Sequence, residues 1–428
     1  MKSTFNLSRR SFLGGTLAAA GAFALTGCAT SAGPQSSGRS AATRTSTVNF
    51  YGNSVGDSAQ SAGWKEFIAG WEKSASATVK VITYPYDQAS HQLALLGAKF
   101  QGVAEAGPWQ VLAPLGVLAD LNELAAGLDI PKGALDAYRI DGKLLAIPLT
   151  ASGIGLVANG DIAGSAGLRS GMSTDEFASA LERIKQQDSA LIPYAAVTKN
   201  PDLKDAAHWM WGWGSEVVTP DLKCTIGDRE SVEAITWYKG LQDAGLTKAG
   251  VARADARILF AQGKTAMYDD APLASTFVRA NGGSADLVAN MTALTRPSHA
   301  GKPSFNRFWG KGLCASAGEG ELSNIDFIKF ALTDVNAARA LFTKSSVLPS
   351  VKSVADQIPE LTANKFQTDF YSNVAQHTRS GAWDRLPVLQ QIDTTIGQGV
   401  ANILAGQSDV QTGLNDLRKQ VQGLLDKR

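Results

Sequence analysis

Residues 48–83 read VNFYGNSVGDSAQSAGWKEFIAGWEKSASATVKVIT. Val48-Asn49-Phe50-Tyr51 is a short apolar strand signal that stops at Gly52-Asn53. Trp64, Phe67, Ile68 and Trp71 then recur at helical spacing, which predicts the buried stripe of an amphipathic helix. Thr78 to Thr83 is β-branched and alternating, a second strand. Strand, helix and strand in that order predict parallel pairing with a crossover helix, hence an α/β fold.

Outward from this unit, the pattern stays helical and apolar in patches. An Ala-rich, charged helix is predicted from Thr174 to Gln187, and another from Ser231 to Ala244, closed by Gly245. Val410, Leu414, Leu417, Val421 and Leu424 form the seam of a terminal helix, with Ser408 and Asp409 as candidate caps. Trp209, Trp211 and Trp213 alternate with small or flexible residues, which predicts an extended segment with two of the rings on one side. About 380 residues follow position 47, enough for two or three domains at ~150 residues each.

Composition excludes several functions. Lys and Arg number 40 against 39 Asp and Glu, a net charge of +1 that argues against nucleic acid as a partner. The four His (91, 208, 299 and 377) are scattered without metal-ligand spacing, so neither a metal nor another cofactor is expected. No nucleophile elbow or phosphate-cradling loop occurs; Gly263-Lys264-Thr265 lacks the upstream Gly of the latter. Cys224 and Cys314 could oxidise to a disulfide in an exported protein; two buried free thiols are the preferred of the two readings.

The first residues carry an address. Lys2, Arg9 and Arg10 precede an apolar run, Phe12 to Leu25, that is too short to span a bilayer. Ser8-Arg9-Arg10-Ser11-Phe12-Leu13 resembles the twin-arginine export signal, and Leu25-Thr26-Gly27-Cys28 resembles the bacterial lipobox. The resemblance implies a signal peptide over 1–27 and acylation (palmitate-type) of Cys28. Residues 28–47, rich in Ser, Ala, Gly and Thr, then form a flexible tether. The expected location is extracytoplasmic, lipid-anchored at a cell membrane, with the lipid as the only membrane contact.

Five landmarks recur in an ordered series: Gly142-Lys143 to Pro148 followed by Ala158-Asn159; Phe260-Ala261-Gln262-Gly263-Lys264-Thr265-Ala266-Met267; Trp309-Gly310-Lys311-Gly312-Leu313; Ser346-Val347-Leu348-Pro349; and the closing stretch Ile392 to Leu424 with its Ala405-Gly406-Gln407-Ser408 turn. Together they resemble the extracellular solute-binding proteins of ABC importers, the group that includes maltose-binding protein. The resemblance implies a periplasmic-binding-protein-like (class II) α/β fold. It implies two α/β lobes joined by a multi-crossing hinge, with the ligand cleft between them. It places residues 48–150 and 263–312 in the first lobe, and 151–262 and 313–428, with the terminal helices, in the second. It implies a monomeric, non-catalytic capture protein that closes on a sugar, a mono- or oligosaccharide, and delivers it to the transmembrane subunits of a permease. Two departures stand out. Where the family often has Gly-Pro-Trp, this chain has Tyr268-Asp269-Asp270-Ala271-Pro272-Leu273, and Ser152 replaces an acidic residue common in sugar binders.

Sugar recognition uses aromatic faces against the ring, with carboxylates and amides on the hydroxyls. The candidate ligand-binding residues are accordingly Asn53, Asp57, Trp109, Ser152, Trp211, Trp213, Asp269, Asp270 and Trp309. Many Trp with Asp269 and Asp270 also suit a quaternary amine or polyamine. A secreted glycoside hydrolase is disfavoured: its two carboxyls need about 5–9.5 Å between them across a bond, and adjacent residues on an extended chain point opposite ways.

Overall fold

The computed structural model describes residues 41–427 apart from 58–59, 86–87, 106–108 and 200–205. The export signal, Cys28 and most of the expected tether lie outside the described residues. Ten strands follow in chain order: β1 (Thr47–Tyr51), β2 (Thr78–Ile82), β3 (Val103–Glu105), β4 (Arg139–Ile140), β5 (Lys143–Leu144), β6 (Ile147–Asn159), β7 (Met267–Asp270), β8 (Met291–Leu294), β9 (Asn306–Ala315) and β10 (Thr378–Arg379). β1 pairs parallel with β2, Thr47 opposite Thr78, and parallel with β3 on its other side. Helix Ser61–Ala75 makes the crossover and buries Trp64, Phe67, Ile68 and Trp71, the stripe its spacing predicts. The main sheet runs β2-β1-β3-β9-β6-β7, with β8 also on β6 and β10 on β9.

β6 and β9 are the two long strands; β6 contributes to the cores of both lobes, whereas β9 enters the first core at Leu313 and reaches the second lobe through Arg307, which donates to Asp384 and Asp393. Ile147 and Leu149 of β6 and Leu313 of β9 pack with Phe50, Trp64, Phe327 and Leu341 in the first lobe. Farther along β6, Leu156 and Ala158 face one core while Val157 between them faces another. Met267 and Tyr268 of β7 alternate in the same way. That period of two means the second lobe's sheet is covered on both faces.

This packing corrects the expected lobe boundaries. Ala266, Met267 and Leu294 belong to one second-lobe core, and Ala274, Val278 and Met291 to the other, so most of 263–312 lies in the second lobe. Leu313, Phe327, Leu341 and Leu361 lie in the first. The chain changes lobe inside β9, where no loop signal marks it, and again between Leu361 and Phe366. The tether also ends earlier than 47. Thr43 exchanges backbone hydrogen bonds with Gly318 and Leu322, and Ser323 Oγ bridges to Thr45, which fastens this arm to the first lobe.

Helix ends follow their caps. Ser173 and Glu176 form a capping box on Thr174–Gln187. Asp228 caps Arg229–Asp243, which therefore begins two residues before the predicted Ser231. Asp409 caps Val410–Leu425 by accepting the Thr412 N–H. Cys224 and Cys314 are both free and buried, one in each lobe's core.

Candidate functional site

The antiparallel pairing of β6 with β9 sets Thr150 opposite Lys311 and Ser152 opposite Trp309. Directly opposed residues share a face, and i, i+2 residues along a strand share it too, so these four side chains line one face of the hinge ribbon. A register shift at Leu149 inserts one residue and keeps the polar pair together. On the adjoining strand Glu105 stands opposite Leu313, two residues on from Lys311, and so joins the same face.

Around Lys311 the polar groups converge. Its Nζ donates to Ser54 Oγ and Gln60 Oε1, and lies 3.7 Å from Glu105 Oε1. Glu105 Oε2 accepts the Ser54 N–H at 2.9 Å, and Gln60 Nε2 donates to Asp57 Oδ2 at 2.8 Å. Asn53 supplies the turn, its carbonyl accepting the N–H of Gly56 and Asp57. Ser54, Glu105 and Tyr84 all follow or end parallel strands at their carboxyl ends, the position where open α/β sheets bind ligands. Tyr84 has its hydroxyl held above the ordinary range, by burial first and by Glu105 next.

Three buried polar atoms on this face have no hydrogen-bond partner: Thr150 Oγ1, Ser152 Oγ and Glu105 Oε1. Buried polar groups are nearly always satisfied, so a cluster of exceptions requires a reason. Beside them is Trp309. Eight of the nine tryptophans lie against another ring; among the tryptophans, Trp309 alone has no ring or cation contact, and it is half-buried. Asn53, Asp57, Ser152 and Trp309 are thus brought into one region.

The other five candidates are elsewhere. Trp109 is buried in the first core against Tyr138, 6.0 Å between rings. Trp211 and Trp213 lie on helix Ala207–Trp213, where the sequence suggested an extended run. Helical spacing puts Trp209 and Trp213 on one side, both against Trp237 at 5.1 and 4.9 Å, and turns Trp211 away to Trp383. Asp269 is buried, taking Arg296 Nη2 at 2.7 Å and the Tyr194 hydroxyl. Asp270 is fully buried and receives both Nε and Nη2 of Arg257 at 2.8 Å. Both carboxylates are spent within the second lobe. Nearby, His208 is buried and its imidazole is held well below the usual range, by burial first and then by Arg296, Arg253 and Arg307.

Sequence reading missed Ser54, Gln60, Glu105, Thr150 and Lys311. Their signals are faint: a carboxylate closing an apolar strand, a Lys between two glycines in Gly310-Lys311-Gly312, one further hydroxyl, Thr150, inside the apolar run of β6, and two polar residues, Ser54 and Gln60, in the turn-rich stretch after β1. Among the described residues no group of three or more His, Cys, Asp or Glu could hold a metal ion, and no helix is long and apolar enough to cross a membrane.

Residues 66–369 match the sequence pattern of the bacterial extracellular solute-binding proteins. The chain belongs to that family. It is a solute-binding protein, and the family binds rather than catalyses. This solute-binding protein is 29% identical over 145 residues to a binding protein of Brucella abortus, a match covering 33% of this chain and 35% of that one. It thus spans about a third of the length of the curated relatives it matches. In three dimensions it is similar to the GacH receptor of Streptomyces glaucescens, solved unliganded and with acarbose (TM-score 0.73, 22% identity, 89% of this chain and 98% of that one). It is also similar to the sugar-binding protein MalE of Xanthomonas citri (TM-score 0.77, 15% identity, 89% and 98%). A third likeness is to an ABC substrate-binding protein of Listeria monocytogenes in complex with cycloalternan (TM-score 0.70, 18% identity, 88% and 98%). These likenesses establish the periplasmic-binding-protein fold with its two α/β lobes.

Proposed function

We propose that this protein captures a neutral saccharide on the hinge ribbon and delivers it to the transmembrane subunits of an ABC importer, working from a lipid on Cys28 at a membrane's outer face. The observation that carries the ligand is the Trp309 ring, without a ring partner, beside the unbonded hydroxyls of Thr150 and Ser152 and the one free-standing oxygen, Oε1, of the Lys311-paired Glu105. A pyranose has a C–H face that suits an indole and hydroxyls that suit such acceptors. The structural neighbours named above, solved with acarbose or cycloalternan, support the same class. The quaternary-amine reading loses its support, because Asp269 and Asp270 are each held by an arginine.

Capture closes the lobes, and contacts that would hold the closed form are available. Gln110 Nε2 of the first lobe donates to the Asp384 carbonyl of the second at 2.7 Å, and Thr276 and Ser346 share a hydrogen bond of 2.6 Å across the lobes. A ligand bound to both sides favours that state and so shifts the hinge equilibrium.

The test is a thermal-shift and tryptophan-fluorescence screen against mono- and oligosaccharides. Trp309→Ala is expected to weaken the best ligand by about 2 kcal/mol, the burial of roughly half an indole, or about thirtyfold. A screen that finds an amine or peptide and no sugar refutes the saccharide. Metabolic labelling with a clickable fatty acid, lost in Cys28→Ser, tests the anchor separately.

A further inference from the structure

The second lobe carries a cavity that shares no residue with the hinge ribbon. Its volume is about 480 Å³, inside the range of about 300–1,000 Å³ usual for small-molecule pockets. Three helices of one lobe wall it: the start of Thr174–Gln187, the end of Ala207–Trp213 and the first half of Arg229–Asp243. His299, from the loop after β8, closes the side.

The lining has a definite chemistry. Trp237 is half-buried, so part of its ring faces the cavity. Trp213 and His299 stack at 4.4 Å with 13° between their planes, and Thr174 Oγ1 lies 3.3 Å from His299 Nδ1, which fixes the imidazole. Asp175, Glu233 and Thr236 are exposed at the rim and supply acceptors and a hydroxyl.

Charge decides the class of ligand. Glu233 already pairs with Arg229 at 2.7 Å, and the Lys302 ammonium donates to the Trp213 carbonyl beside the cavity. Arg229 and Lys302 thus stand near the two lining carboxylates, Asp175 and Glu233, which leaves no strong net charge to select an ionic ligand. An aromatic wall ringed by polar acceptors, neutral overall, suits a polyhydroxylated ring.

We propose that this cavity is a second, weak saccharide-binding site, separate from the interlobe cleft. It is open and wide enough for one or two sugar units, so it holds a chain end or a single residue on the outside of the second lobe. A long glycan held here at one end has its other end at a raised effective concentration for the cleft, provided the glycan spans the two sites. Binding of a sugar in this cavity does not depend on the reading of the hinge ribbon, whereas the gathering of a glycan for the cleft rests on it.

The experiment follows the indole N–H resonances of the full chain by NMR while glucose, galactose, mannose, xylose, maltose and, separately, choline are added. The Trp237 resonance is assigned by its loss in Trp237→Phe. At least one sugar is expected to shift it saturably with a millimolar midpoint, and to do so equally in Trp309→Ala. Thr236→Arg, at an exposed position, fills the cavity without touching the core and is expected to weaken the response about tenfold or more. The idea fails if no sugar moves the Trp237 resonance saturably. It fails equally if the shift vanishes in Trp309→Ala, or if choline alone produces it.

Discussion

Replacing Asp269 by Asn separates a core role from a ligand role at a residue that sequence reading assigned to the ligand. The Asp269 side chain is 4% exposed and its partner Arg296 is 1% exposed. Arg296 Nη2 donates to Asp269 Oδ1 at 2.7 Å and to the Ile154 carbonyl at 3.0 Å, and its guanidinium lies 5.0 Å from the Trp209 ring centre. Asn keeps the shape and one acceptor but removes the charge. Arg296 then stays cationic in a low-dielectric site with no counter-charge, a situation that costs about 3–5 kcal/mol in buried pairs. The double variant Asp269→Leu with Arg296→Met replaces both ions by apolar groups and should recover most of that loss. Asp270→Asn should cost less than Asp269→Asn, because Arg257 is 20% exposed and can rehydrate. The assay is urea unfolding followed by far-UV circular dichroism, with affinity for the best saccharide of the proposed screen measured on the folded fraction. The midpoint for Asp269→Asn should fall steeply at constant slope, while affinity changes little. A loss below about 1 kcal/mol, accompanied by lost binding, would return Asp269 to the ligand site and refute the argument.

Three further outcomes are expected. His208 is neutral when folded, whereas the unfolded chain takes up a proton below about pH 6.5. Stability is therefore full above that pH and declines by about 1.4 kcal/mol per unit below it; His208→Gln should flatten the slope of urea midpoints between pH 7 and 5, and an unchanged slope shows that other groups carry it. In Gly63→Ala the new methyl would sit 2.6 Å from the Ala340 carbonyl oxygen, pushing helix Ser61–Ala75 off helix Val335–Ser345. A loss of about 1–3 kcal/mol is expected by calorimetry, and a wild-type melting temperature contradicts that packing. Burial pushes the thiols of Cys314 and Cys224 up to about 12 and about 11. Neither should react with Ellman's reagent at pH 8 until the protein is unfolded; fast native reaction of either refutes its burial.

The opening strand-helix-strand unit was legible because Trp64, Phe67, Ile68 and Trp71 repeat at the helical period and TVKVIT at the strand period. Both signals are local, and local signals survive in one dimension. The tryptophan helix Ala207–Trp213 misled because seven residues span only two turns, too few for a period of 3.6 to outweigh an alternation of two. The lobe boundaries misled for another reason: β9 is one continuous strand from Arg307, bonded to Asp384 and Asp393 of the second lobe, to Leu313 in the first core, and nothing in its composition marks the crossing. At the site, Ser152 and Trp309 were legible through their neighbouring motifs. Lys311 and Glu105 were not, because their meeting depends on the register of β6, β9 and β3, which is set by packing rather than by any residue type.

The short arm of residues 43–47 settles which half of the molecule is the frame and which is the jaw. Its bonds to Gly318, Leu322 and Ser323 all fall on the first lobe, and it continues directly into β1 at that lobe's centre. Under the anchoring proposed above, the tether therefore enters the molecule through the first lobe, and any pull on the N-terminus is taken up by the frame of β1 and helix Glu321–Thr333 rather than by the second lobe.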